Sequence, residues 1–134
     1  MKQPERQEVI NRLLEKADQA IRSAQQVHAA RDIGLASNRV YDAGVYALSA
    51  VLLAEPIEFA RHGSVRAVLH QRLVKTGRVS REFGRFYDTV FSERQQADYS
   101  ALAHFGIVIV AKRLDQARIF VVRMRGFLPS PFSA

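Results

Sequence analysis

Apolar residues recur at helical spacing along nearly all of this 134-residue chain, and nowhere do they alternate at the period of a strand. The densest stretch, residues 36–54, begins with the polar run Ala-Ser-Asn-Arg-Val-Tyr-Asp and ends with no charge on any face. Between Ala43 and Ala54 only Gly44, Tyr46 and Ser49 interrupt the aliphatics. A helix that is apolar nearly all round is one surrounded by other helices. Small residues at Ala36, Ala43, Ala47, Ala50 and Ala54 make one stripe that admits a close neighbour, and Val45, Leu48 and Leu52 make another. The wet end of this helix, with Asn38, Arg39, Tyr41 and Asp42, carries polar groups to the rim of the core and is the first place to look for function.

The remaining elements arrange themselves around it. A first helix spans about residues 4–27, with Pro4, Glu5 and Glu8 suited to its first turns and Ile10, Leu13, Leu14, Ala17, Ile21, Ala24 and Val27 facing inward. Ala29 to Arg31 is a short link, so the first two helices are antiparallel neighbours, and Asp32 caps the second. That helix ends near Glu55-Pro56, because proline disfavours helical backbone in the residue before it. A loop closed by Arg61-His62-Gly63 leads to Ser64, the cap of a third helix that buries Val65, Val68, Leu69 and Leu73 and stops at Gly77. Ser80 caps a fourth, with Phe83, Phe86, Tyr87, Val90 and Phe91 inward. Residues 92–100 are polar and poorly periodic and read as a loop. A last helix covers roughly residues 107–125, with Ile107, Val110, Ala111, Leu114, Ala117, Val121 and Met124 inward, and ends at Gly126 and Pro129. The expectation is all-α: an up-and-down bundle of four long helices and one shorter one. It forms a single domain over residues 1–134, with a core of about 4–126 and a tail of 127–134.

Composition narrows the function classes. The chain has no cysteine, so disulfides and thiolate metal sites are excluded. Its longest uncharged run falls short of the roughly 20 residues a membrane helix needs, and a charged N-terminus argues against a signal peptide. A cytoplasmic protein without a membrane partner is expected. The net charge of +7 lies in the second half: residues 1–60 balance to −1, and residues 61–134, with thirteen basic and five acidic side chains, to +8. Arg61, Arg66, Arg72, Lys75, Arg78, Arg81 and Arg85 are opposed only by Glu82. Arginine, whose planar fork suits phosphates and stacked bases, supplies 16 of the 20 cations. The pattern fits RNA, DNA or an acidic protein as partner, and equally a solubilising surface. There is no phosphate-binding glycine loop, serine elbow or HExxH-type histidine pair, so neither a cofactor nor a metal is expected.

Ala36-Ser-Asn-Arg-Val-Tyr41, then His62-Gly-Ser-Val65, Val74-Lys-Thr-Gly77, Phe91 and Glu93-Arg-Gln-Gln-Ala-Asp-Tyr99, in that order, resemble the HEPN superfamily over about residues 8–125. The likeness is greatest to small stand-alone bacterial and archaeal HEPN proteins, with their Asn-Arg-x-Tyr-Tyr-Ala helix and Arg-x-x-Ala-Asp-Tyr segment. The resemblance implies an α-helical bundle that dimerises, often encoded beside a minimal nucleotidyltransferase in toxin-antitoxin or defence systems. It also implies metal-independent cleavage of RNA, through an arginine followed after four to six residues by a histidine, with two copies meeting in a dimer cleft. In some toxins of the family a tyrosine just past that histidine is modified by the nucleotidyltransferase partner.

This chain departs from that signature. Arg94 matches the arginine, but no histidine occurs between Arg94 and His104, and Asp98 stands where an imidazole would. A carboxylate of ordinary pKa, about 4, is a weak base toward a ribose hydroxyl at neutral pH. Arg94 and His62 are the candidate catalytic pair, with Arg94 stabilising the phosphorane and His62 as base. Asn38, Arg39, Arg61, Arg66, His70, Asp98 and Tyr99 are the candidate binding residues, and Tyr99 is also a candidate modification target. Each has a structural alternative. Arg94 and Asp98 can pair with each other, Asn38 and Arg39 can bond a neighbouring helix end, and His62 can cap a helix or bond a carboxylate. His70, four residues after Arg66, shares its helix face, and His104 is a further candidate. Arg22 and His28 match the signature literally, but six helical steps rotate roughly 240° and point them apart. The functions in view are RNA binding or cleavage in a homodimer, a non-enzymatic adaptor for a nucleotidyltransferase antitoxin, and a small-molecule or nucleotide sensor in the bundle.

Overall fold

The computed structural model describes residues 2–55, 64–99 and 106–128, with the side chains of residues 96–99 outside that description. Helix α1 (Gln3–Ala29) starts with proline in its first turn and buries Ile10, Ala17, Ala20 and Ala24. Leu13, Leu14, Ile21 and Val27 are half-buried on the same side. It ends in a Schellman turn. The Asp32 N–H bonds the Val27 carbonyl at 2.8 Å, the Arg31 N–H bonds that of His28 at 2.9 Å, and Arg31 takes the left-handed conformation at φ 64°. Asp32 then caps α2 (Ile33–Ala54), its carboxylate accepting from the Leu35 N–H at 3.3 Å.

Helix α2 is the axis of the molecule. It packs most extensively on α1 and touches every other helix, burying Ala36, Val40, Ala43, Ala47, Leu48, Ala50 and Val51. Ser64 accepts from the Ala67 N–H and opens α3 (Val65–Val68), which widens into a π-helical segment (Leu69–Val74). The sequence pattern gives one uninterrupted helix here. His70, at the start of the wide turn, lodges against Gly84, where no Cβ stands in its way. Gly77, at φ 77°, closes the segment.

Helix α4 (Arg81–Tyr99) corrects the expectation of a loop at 92–100, since the helix runs through Tyr99. Glu, Arg, Gln and Ala are good helix formers and need no apolar stripe to stay helical. Glu93 is also tied to Arg113 of α5 (Ile107–Arg125), with Nε 3.0 Å from Oε1, in an ion pair largely shielded from solvent. Helix α5 buries Val110, Leu114, Ala117, Val121 and Met124 as its spacing predicts, while Ile107 is exposed. It also buries Phe120, which the inward set omits. That ring packs on Phe83, Phe86 and Tyr87 with centroids 5.4 to 6.1 Å apart. Beyond α5, Phe127 and Leu128 lie against the core, the Phe127 ring held between Arg78 and Arg123. Four long helices and one short one thus form the all-α bundle, and among the described residues no helix is long and apolar enough to cross a membrane.

Candidate functional site

The wet end of α2 meets α4 at one carboxylate. Asp42 accepts from Arg39, one turn earlier on α2, at 3.2 Å, and lies 3.7 Å from Nη1 of Arg94 on α4. The Arg94 guanidinium lies over the Tyr41 ring, 4.7 Å from its centroid. Tyr41 in turn packs against Tyr87 and Phe91, each at 6.0 Å. Two guanidiniums share one negative charge here, and with side chains 42% and 41% exposed both remain open to an incoming anion. Nε of Arg39 and Oδ1 of Asn38 are buried without hydrogen-bond partners, so this rim keeps hydrogen-bonding capacity in reserve.

A second cluster adjoins the same aromatic rings. Arg66 and His70 do share a face of the α3 segment, but both turn to Asp88 of α4. Arg66 Nε lies 2.6 Å and His70 Nε2 2.9 Å from Oδ1. Arg66 also lies over Phe91 at 5.0 Å. Burial acts to raise the Asp88 pKa, yet the hydrogen bonds from His70 and Arg66, with their charges, outweigh it and hold the carboxyl below its ordinary range. Tyr87 is pushed far above the ordinary phenol range by burial, reinforced by Tyr41 beside it and only partly offset by Arg66 and Arg94. It stays neutral as a core residue.

The structure therefore brings Arg39 and Arg94 together with Tyr41 and Asp42, and places Arg66 and His70 in a clamp between α3 and α4. Arg61, His62 and His104 lie outside the described residues. Asp98 and Tyr99 belong to α4, not to a loop, and their side chains lie outside the description. His28 bonds the Ile107 carbonyl at 2.8 Å and so joins the end of α1 to the start of α5. Asp88 was missed at the sequence level. The available signal was an acid flanked by core positions in the basic half of the chain. Among the described residues there is no cluster of three His, Cys, Asp or Glu that could hold a metal. The rim offers charge-assisted hydrogen bonds from two arginines, which is chemistry for a phosphate.

Comparison with known proteins agrees with this architecture. The family model described as HEPN domain matches residues 10–128. A relative named "UPF0332 protein" from Thermotoga maritima is 34% identical over 101 residues, covering 75% of this chain and 76% of its own length. Another, "Putative toxin MJ0142" from Methanocaldococcus jannaschii, is 23% identical over 121 residues, covering 90% of this chain and 82% of its own. A match over nearly the whole bundle, with the Asn38-Arg39 helix at its centre, settles the question of kinship: the chain belongs to the HEPN domain family.

Proposed function

We propose that this protein is a component of a toxin-antitoxin or defence module, and that it binds RNA at the rim formed by Arg39, Tyr41 and Arg94. The observation that carries the reading is the pair of half-exposed guanidiniums converging on Asp42, one of them stacked on Tyr41. The provisional toxin designation of the archaeal relative supports the wider context. A second copy completes the cleft in this reading. The outer face of α5 exposes Val108, Ile119 and Val122, with Lys112 and Asp115, the latter bonded to Arg118, between them. Cleavage by this protein would use the ribose 2′-hydroxyl as nucleophile on the adjacent phosphorus. Its proton would go to His62, Arg94 would stabilise the phosphorane, and the 5′-oxygen would leave as a 5′-hydroxyl, taking a proton from the imidazolium or from water, with a 2′,3′-cyclic phosphate left behind. The test is RNA binding and cleavage by wild type and Arg94→Ala, together with growth on expression. Binding or toxicity that survives the substitution at wild-type level removes Arg94 from the site.

One observation favours a second reading, a non-enzymatic adaptor for a nucleotidyltransferase. That observation is that neither His70, held by Asp88 of α4, nor His28, bonded to the Ile107 carbonyl, contacts Arg94 among the described residues. Tyr99 is the acceptor hydroxyl in this reading. Co-expression with a nucleotidyltransferase encoded beside it, followed by intact mass spectrometry, distinguishes the two. A complex carrying a nucleotidyl adduct on Tyr99 supports the adaptor, and the absence of both complex and adduct rejects it.

A further inference from the structure

A trench of about 290 Å³ runs along the seam of α1 and α2, lined by Lys16, Gln19, Ala20 and Ser23 from one helix and Arg39 and Tyr46 from the other. The four α1 positions follow the i, i+3, i+4, i+7 pattern of a single helix face. Because α1 and α2 run antiparallel, Ser23 belongs to the Arg39 end and Lys16 to the Tyr46 end. Consistent with this, Lys16 Nζ lies 5.6 Å from the Tyr46 ring centroid. Seven residues of helix separate the ends by about 10 Å.

Every polar side chain along the trench can donate a hydrogen bond, and no carboxylate lines it. Ser23 and Gln19 spend their side-chain groups on no partner among the described residues, and Lys16 makes no ion pair among them. Arg39 uses Nη1 on Asp42, but its Nε is buried and unpaired. A seam between two packed helices ordinarily closes over apolar side chains. This one is held open over Ala20, with a cation at each end.

We propose that this trench binds a small phosphorylated molecule, its phosphate held by Arg39 and Ser23 and its other end by Gln19, Lys16 and Tyr46. A guanidinium beside a hydroxyl suits a phosphate, which accepts several charge-assisted hydrogen bonds at once. Free phosphate fills only the Arg39 end. A sugar phosphate is long enough to reach both ends, with ring hydroxyls that match the Gln19 amide and the Lys16 ammonium. The trench lies beside the rim proposed for RNA and shares Arg39 with it, while Lys16, Gln19, Ser23 and Tyr46 belong to the trench alone.

Calorimetric titration of the full chain without RNA, using inorganic phosphate and ribose 5-phosphate as probes, tests it. Ribose 5-phosphate is expected to bind about ten-fold or more tightly than inorganic phosphate, and Ser23→Ala and Lys16→Ala each to weaken it by roughly three- to ten-fold. Thermal melts of the two variants, both at partly or fully exposed helix positions, confirm that the bundle is intact. Equal affinity for the two probes, or ribose 5-phosphate affinity unchanged by both substitutions, overturns the proposal. RNA binding plays no part in the measurement, so failure of the RNA reading leaves it standing.

Discussion

A methyl group at position 84 would lie 2.8 Å from Cε1 of His70 and 3.2 Å from a Val74 methyl, too close for the ring to stay where it is. Gly84→Ala is therefore expected to lower unfolding stability by about 1 kcal/mol, the cost of displacing His70 from Asp88 set against the better helix propensity of alanine. In a His70→Ala background the same substitution becomes neutral or stabilising, and a double-mutant cycle by urea denaturation measures the difference. Asp88 gives the pH dependence. Its folded pKa lies below the unfolded value of 3.8, so its contribution is fully present above that pH and is lost as the pH falls through the folded pKa. Thermal melts between pH 6 and pH 2.5 should show a steeper acid loss in wild type than in Asp88→Asn. This clamp illustrates what one sequence can and cannot reveal. That Arg66 and His70 share a face follows from their spacing of four residues. That both serve Asp88, eighteen and more residues away, depends on how α3 is laid against α4, which no local pattern encodes.

At the scale of elements, boundaries set by local chemistry were legible. Asp32 and Ser64 cap the helices assigned to them, and Gly77 sits at positive φ where a helix was expected to stop. Asp32→Ala should cost about 1 kcal/mol, read from the midpoint of chemical denaturation. The preceding turn holds an arginine where glycine is favoured. Arg31→Gly is expected to raise stability by about 0.5–1 kcal/mol by relieving the left-handed strain, and a lower midpoint would show that the Arg31 side chain contributes more than its backbone costs. The extension of α4 through Tyr99 was not legible from periodicity, because residues 92–99 carry good helix formers without an apolar stripe, and Glu93 among them is paired with Arg113. Phe120 escaped for a related reason. It shares a face with Ala117, Val121 and Met124, but only the convergence of Phe83, Phe86 and Tyr87 makes it the centre of that layer.

For the whole molecule, the excess of +8 in residues 61–134 makes any RNA affinity strongly salt-dependent. Arg94→Ala should reduce the slope of log K against log salt by about 0.7, the share of one phosphate contact on a single strand, in fluorescence anisotropy titrations. A homodimer through α5 predicts that Ile119→Glu halves the mass seen by light scattering, and an unchanged mass excludes that face. The two halves of the bundle also differ in their tolerance of changes in chain length. A π-helical turn holds about one residue more than an α-helical one. Deleting the exposed Gln71 would let residues 69–74 relax to ordinary helical winding while Leu69 and Leu73 stay on the core side. A deletion in α2, at Ser49 for example, would instead rotate every later residue of the central helix by about 100° out of its packing. Among the described helices, the short one is thus where a single codon can be lost while the core positions keep their side.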